Sequence, residues 1–333
     1  MQAGKLPPEL LSKLLGKIDI KNPRVFLGSR LGEDAALVDF GDRYLVAKTD
    51  PVTFATDLIG QYVVQVNAND LAVMGATPRW LMVTLLFPEK TPIETVNSIF
   101  DQLLEACGDL DIDLIGGHTE FTYDLPRPIA IGAMLGEVDK DKVILTSGAR
   151  PGDAIVLTKG IAIEGTAILA QEKERELKKT GVPSPVVESA KGLLFEPGIS
   201  VVRDAVIACD VVAIHSMHDP TEGGLASGLL ELAKAAGVGL EVDAKLIPVL
   251  PECRAFCQTL GLDPMGLIAS GALMATVAQE DASKLIDALE QDGIPAFEIG
   301  FVTDPQKGVK MRTKNGLQEL PVFDRDELLR VVT

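Results

Sequence analysis

Strand-length apolar runs alternate with helix-length stretches in the first half of the chain, and this order limits the fold most strongly. Residues 80–87 (WLMVTLLF) form a near-continuous apolar run of strand length. Residues 93–107 follow with helical spacing, and residues 129–135 form a second apolar run. Short β-rich runs at 35–40 and 44–48 flank a Gly-Asp turn, which predicts a hairpin. The order predicts an α/β (α+β) domain of about 150 residues.

A region dense in glycine and proline interrupts this pattern and marks a domain boundary. It covers residues 146–160. Beyond it, a helix, a strand and a second helix are predicted within residues 199–237. A chain of 333 residues is long for one domain and comfortable for two. We therefore predict two domains, residues 1–150 and residues 151–333.

Charge and composition exclude several classes of function. The chain has 48 acidic and 31 basic side chains and a net charge of −17. That charge repels phosphate backbones and anionic lipids, so nucleic acid and membrane surfaces are poor partners. No apolar run approaches the ~20 residues needed to cross a bilayer, and the lysine-containing N-terminus predicts an amphipathic helix rather than a signal peptide. The four cysteines lack a zinc pattern and are typical of structural thiols, so we expect a cytoplasmic protein.

A predicted helix at residues 60–75 carries polar side chains in an unexpected place. Asn67 and Asp70 fall in the same stripe as Val63 and Leu71, which should pack on a core. A carboxylate on a packing face is costly unless it is paired or bound to a metal. Asp70 therefore requires a cation or a hydrogen-bonding partner.

Four short segments carry acidic or amide side chains near predicted strand ends and helix starts, and two of them also contain glycine. Magnesium prefers such oxygens and usually shares its coordination with phosphate, while paired glycines let backbone N–H groups approach an anion. Each segment alone is also typical of an ordinary turn, strand end or loop, and only the set points to a shared metal. The segments are GEDAA (32–36), KTDP (48–51), NAND (67–70) and GGHTE (116–120). The candidate metal ligands are Asp34, Asp50, Asp70 and Glu120.

A fifth segment, HDPTEGGL, places two glycines in the first turn of a predicted helix. Asp219 or Thr221 is predicted to cap that helix. Gly223 and Gly224 leave the helix N-terminus without side chains, which suits either a bound phosphate or a closely packed loop. Neither G-x-x-x-x-G-K-[ST] nor G-x-G-x-x-G after a strand occurs, so a nucleotide would be held in another way.

The three histidines fall into two groups. His118 and His218 are predicted to lie in glycine-rich loops, where either could take part in catalysis or ligand contact. His215 lies in an apolar run and is interpreted as a packed core residue.

Five motifs, in this order, resemble the signature of the aminoimidazole ribonucleotide synthetase (PurM-like) superfamily: GEDAA, TDP, NDLAVMGATP, GGHTE and DPTEGGL. That superfamily includes the purine synthetases, selenophosphate synthetase, thiamin-phosphate kinase and the hydrogenase maturation factor HypE. The likeness to HypE extends through residues 248–273. The resemblance implies two α/β domains, a homodimer whose N-terminal sheets close into a β-barrel, and ATP with Mg²⁺ in a cleft beside it.

The motifs and the resemblance together give each candidate residue an expected role. Asp70, His118 and Lys48 are the expected catalytic residues, and Asp34, Asp50, Asp70 and Glu120 are the expected metal ligands. The expected nucleotide-binding residues are Asp50, Asn67, Gly116, Gly117, Thr119, Asp219, Thr221, Gly223 and Gly224.

Departures from the relatives bear on the reaction. HypE ends in a cysteine that carries the carbamoyl group which ATP helps to dehydrate to a nitrile, whereas this chain ends in Thr333 and has no cysteine after Cys257. It also has Ser270 where HypE has a glutamate. Selenophosphate synthetase needs a reactive cysteine near its N-terminus, and none precedes Cys107 here.

We therefore expect an ATP- and Mg²⁺-dependent enzyme that activates a small-molecule oxygen (amide, carboxylate or phosphate) by phosphoryl transfer. It would be HypE-like without making the thiocyanate intermediate itself. One alternative is a non-catalytic nucleotide-binding scaffold in a maturation complex, with a protein partner. Another is a kinase that resembles thiamin-phosphate kinase or selenophosphate synthetase.

Overall fold

The chain divides into two compact units in the computed structural model. The N-terminal unit comprises Ile20–Ser29 and Asp34–Val143, and the C-terminal unit comprises Met1–Asp19, Arg30–Glu33 and Ile144–Thr333. Residue 6 and residues 8–30, 32–53 and 57–332 are described. Residues 1–5 and 7 of the predicted N-terminal helix, and Thr333, lie outside that part of the chain.

The N-terminal unit is a six-stranded sheet with two helices. The sheet order is β1-β2-β3-β6-β4-β5, and only the β4–β5 pairing is parallel. Side chains alternate strictly along β6, where every second residue is buried, as one covered sheet face requires. The strands are β1 (Val25–Leu27), β2 (Ala36–Asp39), β3 (Arg43–Val52), β4 (Thr77–Pro88), β5 (Asp113–Thr122) and β6 (Ile129–Asp139), and the helices are α2 (Ile59–Ala72) and α3 (Ile93–Asp109).

Glycines in β6 let α2 lie unusually close to the sheet. A Cβ on Gly132 would overlap the side-chain amide of Asn67, and one on Gly136 would overlap the side chain of Leu71. Residues four apart on a helix therefore rest over residues four apart on a strand. On its other side α2 packs against α3, with Gly60 in contact with the α3 backbone. Nearly all of α2 is buried as a result.

The C-terminal unit packs helices around a seven-stranded sheet. The order is β13-β12-β9-β11-β7-β10-β8, with only β12–β9 parallel. Its core joins residues of β7, α8, β9 and β11. The helices are α1 (Pro8–Leu15), α4 (Ile163–Glu172), α5 (Glu174–Lys179), α6 (Ser184–Gly192), α7 (Val202–Val211), α8 (Gly224–Ala236), α9 (Pro251–Leu260) and α10 (Ala282–Gln291). The strands are β7 (Ala154–Thr158), β8 (Ile214–His218), β9 (Gly239–Asp243), β10 (Met274–Val277), β11 (Ala296–Thr303), β12 (Val309–Thr313) and β13 (Gly316–Glu319).

The predicted α/β (α+β) class, the β2–β3 hairpin and the helix at 60–75 are confirmed. Two local predictions are wrong. GGHTE is part of strand β5 rather than a loop, and His218 ends strand β8 rather than lying in a loop. In the described part of the chain, no helix has the length and apolarity needed to cross a membrane.

Neighbouring glycines in β5 allow a matched test of this packing. Gly117 has φ +148°, and a Cβ there would overlap the Val83 carbonyl oxygen, whereas a Cβ on Gly116 would meet nothing within 4 Å. Gly117→Ala is therefore expected to lower the free energy of unfolding by about 1–3 kcal/mol. Gly116→Ala, the control, should change it by less than about 0.5 kcal/mol. Urea unfolding of both variants checks this, and equal effects would contradict the described pairing of β4 with β5.

Candidate functional site

A buried ion pair in the N-terminal unit joins β3 to α2. The Lys48 ammonium lies 3.1 Å from a carboxylate oxygen of Asp70 and 3.8 Å from one of Asp50. The exposed fraction of the side chain rises from 5% at Asp70 through 24% at Lys48 to 38% at Asp50. Alternation along β3 turns Lys48 and Asp50 to the sheet face that α2 covers, and the α2 stripe supplies Asp70. The cluster is thus shielded from solvent at Asp70 and accessible to solvent at Asp50.

Burial and neighbouring charges shift the pKa values of both Lys48 and Asp70. Burial alone would lower the pKa of Lys48, but the charges of Asp70, Asp50 and Asp34 outweigh it and raise that pKa above its ordinary value. Burial, together with the like charges of Asp50 and Asp34, raises the pKa of Asp70 to about 7 despite the opposing effect of Lys48. Three carboxylates thus share one ammonium. Carboxylate oxygens are the preferred ligands of a divalent cation such as Mg²⁺.

Asn67 holds Asp50 in place through the backbone. Its side-chain oxygen accepts a hydrogen bond from the Asp50 N–H at 2.9 Å, and its NH₂ group donates to the carbonyls of Asp50 (3.2 Å) and Val63 (2.8 Å). The side chain is fully buried. These contacts make Asn67 a support for the acidic cluster, and direct contact with a nucleotide stays a prediction.

The GGHTE residues lie on the edge strand β5, away from the acidic cluster within the N-terminal unit. Pairing runs across the sheet from Asp50 to Gly132, Val83 and Gly117. Three strand spacings put Asp50 and Gly117 about 14 Å apart. Single-chain geometry therefore does not bring Glu120 to the cluster. The other members of this group are Gly116, His118 and Thr119, all exposed, and His118 pairs with Glu120 at 3.0 Å.

The HDPTEGGL residues lie in the C-terminal unit at the start of α8. Neither Asp219 nor Thr221 caps the helix, because the N-cap position is Gly223, which has no side chain to accept a hydrogen bond from the first turn. That capping prediction is wrong. Gly224 packs so closely on the carbonyls of Met265 and Leu267 that a Cβ would overlap both. Tight packing therefore accounts for Gly224, while phosphate contact by the glycine pair stays a prediction.

The histidines of the C-terminal unit are both paired with acids. His218 is buried, and its Nε2 lies 3.1 Å from Glu231. His215 is only partly buried, and its Nδ1 lies 2.8 Å from the buried Asp153. His215, interpreted from the sequence as a packed core residue, is thus only partly buried and contacts an acidic side chain.

Two carboxylates with defined positions were not predicted. Glu33 accepts hydrogen bonds from the N–H groups of Thr146 and Ser147 and from the Ser147 hydroxyl at 2.5 Å. Asp326 accepts from the Gly223 N–H at 2.6 Å. The Asp-x-Leu pattern around Asp326 could have indicated its local bond to the Leu328 N–H (2.8 Å), but no local pattern indicates its distant partners.

The two α+β units, the first with a helix buried against its sheet, have the PurM-like two-domain fold. The chain belongs to the AIR synthase related protein family. Residues 32–138 match its N-terminal domain, and residues 150–311 match its C-terminal domain.

Among curated relatives, a hydrogenase expression/formation protein of Methanocaldococcus jannaschii is 30% identical and aligns over 96% of this chain and 95% of its own length. Carbamoyl dehydratase HypE of Cupriavidus necator is 31% identical over 89% of this chain and 82% of its own.

Solved structures share the fold. A HypE–HypF complex contains a chain with a TM-score of 0.76 at 23% identity, covering 95% of this chain and 99% of that chain. A HypE in complex with ATP has a TM-score of 0.70 at 24% identity, covering 92% of each chain.

The raised pKa of Asp70 predicts how stability depends on pH in metal-free buffer. An unfolded aspartate has a pKa of about 3.9, so between about pH 4 and about pH 7 the native state binds more protons than the unfolded state. The free energy of unfolding should therefore fall as pH rises through that window. Asp70→Asn removes this contribution, while Asp101→Asn, an exposed control on α3, keeps it. Urea unfolding with EDTA measures it, and a wild-type-minus-Asp70→Asn difference that is flat with pH would contradict the assignment.

Proposed function

We propose that this protein is an ATP- and Mg²⁺-dependent enzyme that activates a small-molecule oxygen by phosphoryl transfer. The observation that carries the proposal is the cluster in which Asp34, Asp50 and Asp70 share the single ammonium of Lys48. A relative named carbamoyl dehydratase HypE and a similar fold in complex with ATP support it.

The donor set fits Mg²⁺ with phosphate. Asp34, Asp50 and Asp70 would hold the metal, because neighbouring carboxylates repel one another less when a divalent cation joins them. When bound, Mg²⁺ supplies positive charge that stabilises the phosphates during transfer.

Lys48 has two tasks in this proposal. Its positive charge opposes the rise in the pKa of the buried Asp70, and its partly exposed side chain can offer a donor to a phosphate oxygen. Asn67 fixes the Asp50 backbone through two hydrogen bonds, which keeps the Asp50 carboxylate aligned.

The remaining candidates keep proposed roles that are less direct. His118, Thr119 and Glu120 lie on the exposed edge strand with Gly116 and Gly117, where nucleotide or a second copy of the chain would find them accessible. In the C-terminal unit, nucleotide contact is proposed for one segment, which contains Asp219, Thr221, Gly223 and Gly224.

The acceptor is proposed to be an amide, carboxylate or phosphate oxygen of a small molecule. Ser270, where HypE has a glutamate, is buried and offers a hydroxyl rather than a carboxylate to that reaction. We therefore propose HypE-like oxygen activation rather than formation of the thiocyanate itself. The HypE–HypF complex supports a role beside a maturation-complex protein. A cytoplasmic location stays a prediction from the cysteine pattern.

A homodimer is proposed because, among the described residues of the N-terminal unit, nothing covers one face of its sheet. α2 packs on the opposite face, while Ile129, Ile131, Ala133 and Leu135 of β6 are only partly buried, and neighbouring Met82 is exposed. A second copy placing the same apolar stripe against this face would bury both.

Ile131→Lys should shift sedimentation equilibrium towards monomer, whereas Leu104→Lys, at an exposed apolar residue on α3, should not.

Calorimetry with MgATP tests the nucleotide site. Asp70→Asn should weaken MgATP binding about 10-fold or more, because it replaces a charged metal ligand by a neutral amide. Asp101→Asn carries the same chemical change at an exposed position and should bind as the wild type does. Absence of MgATP binding by the wild-type protein would overturn the proposal. Tight binding without turnover would instead favour the non-catalytic scaffold, and phosphorylation of an added thiamin phosphate would favour the kinase.

A further inference from the structure

The carboxylate of Asp326 gathers three backbone N–H groups in the C-terminal unit. One oxygen accepts from Gly223 at 2.6 Å, and the other accepts from Leu328 at 2.8 Å and from Ile268 at 3.3 Å. The side chain is buried. A negative charge at the N-terminus of α8 is favourable there because the helix dipole and free N–H groups point at it.

Two of these donors belong to segments that carry proposed ligand residues. Gly223 lies in the segment 219–224, and Ile268 lies two residues before Ser270. A further bond joins the same segments directly, since the Ala269 N–H donates to the Thr221 carbonyl at 3.2 Å. Asp326 therefore reinforces a junction that sets the positions of Thr221 and Ser270 relative to each other.

The segment that carries Asp326 is itself anchored. The neighbouring Glu327 accepts from the Asp263 N–H at 2.8 Å and pairs with Arg330 at 2.7 Å. Leu328 is buried, and the Phe323 ring lies where a Cβ on Gly266 would be. These contacts hold the carboxylate at a fixed depth against α8.

We propose that Asp326 is a positioning residue that aligns segments 219–224 and 267–270, which carry proposed ligand residues, for the reaction. This inference rests on the proposed function. Its chemistry is specific to a carboxylate, because both oxygens accept from N–H groups. An asparagine would turn an NH₂ group towards a backbone donor, which cannot accept it.

The test compares Asp326→Asn and Asp326→Ala in the full chain with Asp324→Asn, an exposed control two residues earlier. The probe is MgATP, with water as acceptor, and kcat and KM are measured where circular dichroism shows folded protein. We expect kcat to fall by about 10- to 100-fold in both Asp326 variants, and the KM for MgATP to rise by more than about 2-fold, because segment 219–224 carries expected nucleotide-binding residues. Asp324→Asn should match the wild type.

Two further readouts separate positioning from general stability. Added formate should restore part of the kcat of Asp326→Ala by supplying the missing carboxylate, and should leave Asp326→Asn unchanged because its site is filled. Hydrogen exchange at the amides of Gly223 and Ile268 should accelerate in both variants.

The possible results have distinct meanings. Unchanged kcat in Asp326→Ala with faster amide exchange overturns the inference, as does loss of kcat without formate rescue. A wild-type protein that binds MgATP but does not turn it over also counts against it, while leaving the nucleotide site intact. Failure of the wild-type protein to bind MgATP rejects the proposed function, and the amide exchange then still shows whether Asp326 joins the two segments.

Discussion

The close approach of α2 to its sheet is the constraint on which the N-terminal unit depends. Gly132 and Gly136 remove the side chains that would hold the helix away, so Asn67 and Leu71 rest directly on β6. That depth buries Asp70, and burial makes Lys48 necessary, because an unpaired carboxylate there costs several kcal/mol. The close packing of α2 on β6 thus both fixes the Asn67 contacts that support the candidate site and buries the Asp70 carboxylate.

Local patterns predicted those parts of the structure that local chemistry determines. The hairpin at Gly41, the apolar strand β4 and the polar residues in the buried stripe of α2 all follow from periodicity and turn chemistry. GGHTE was misjudged because β5 is an edge strand with exposed residues on both faces, so it lacks the alternation that marks a half-buried strand. The partners of Asp326 are about 60 and 100 residues distant, and no local signal encodes them.

Glycine pairs illustrate why a motif needs its surroundings. At Gly223, the N–H that could bind a phosphate is bound to the chain's own carboxylate, and at Gly224 the missing Cβ makes room for two carbonyls. At Gly117 the missing Cβ makes room for the adjacent strand. Gly117 and Gly224 are required by a close approach of backbone, and Gly223 has a left-handed conformation that favours glycine.

We propose that Asp34, Asp50 and Asp70, beside the Lys48 ammonium, bind the metal of a metal–nucleotide complex. A crystal structure with Mn²⁺ and a non-hydrolysable ATP analogue, read by anomalous scattering, tests it most directly. The account predicts a Mn²⁺ peak about 2 Å from carboxylate oxygens of Asp50 and Asp70, with the phosphates beside it. Nucleotide and Mn²⁺ bound elsewhere, with the Lys48–Asp70 pair still 3.1 Å apart and unengaged, would contradict it.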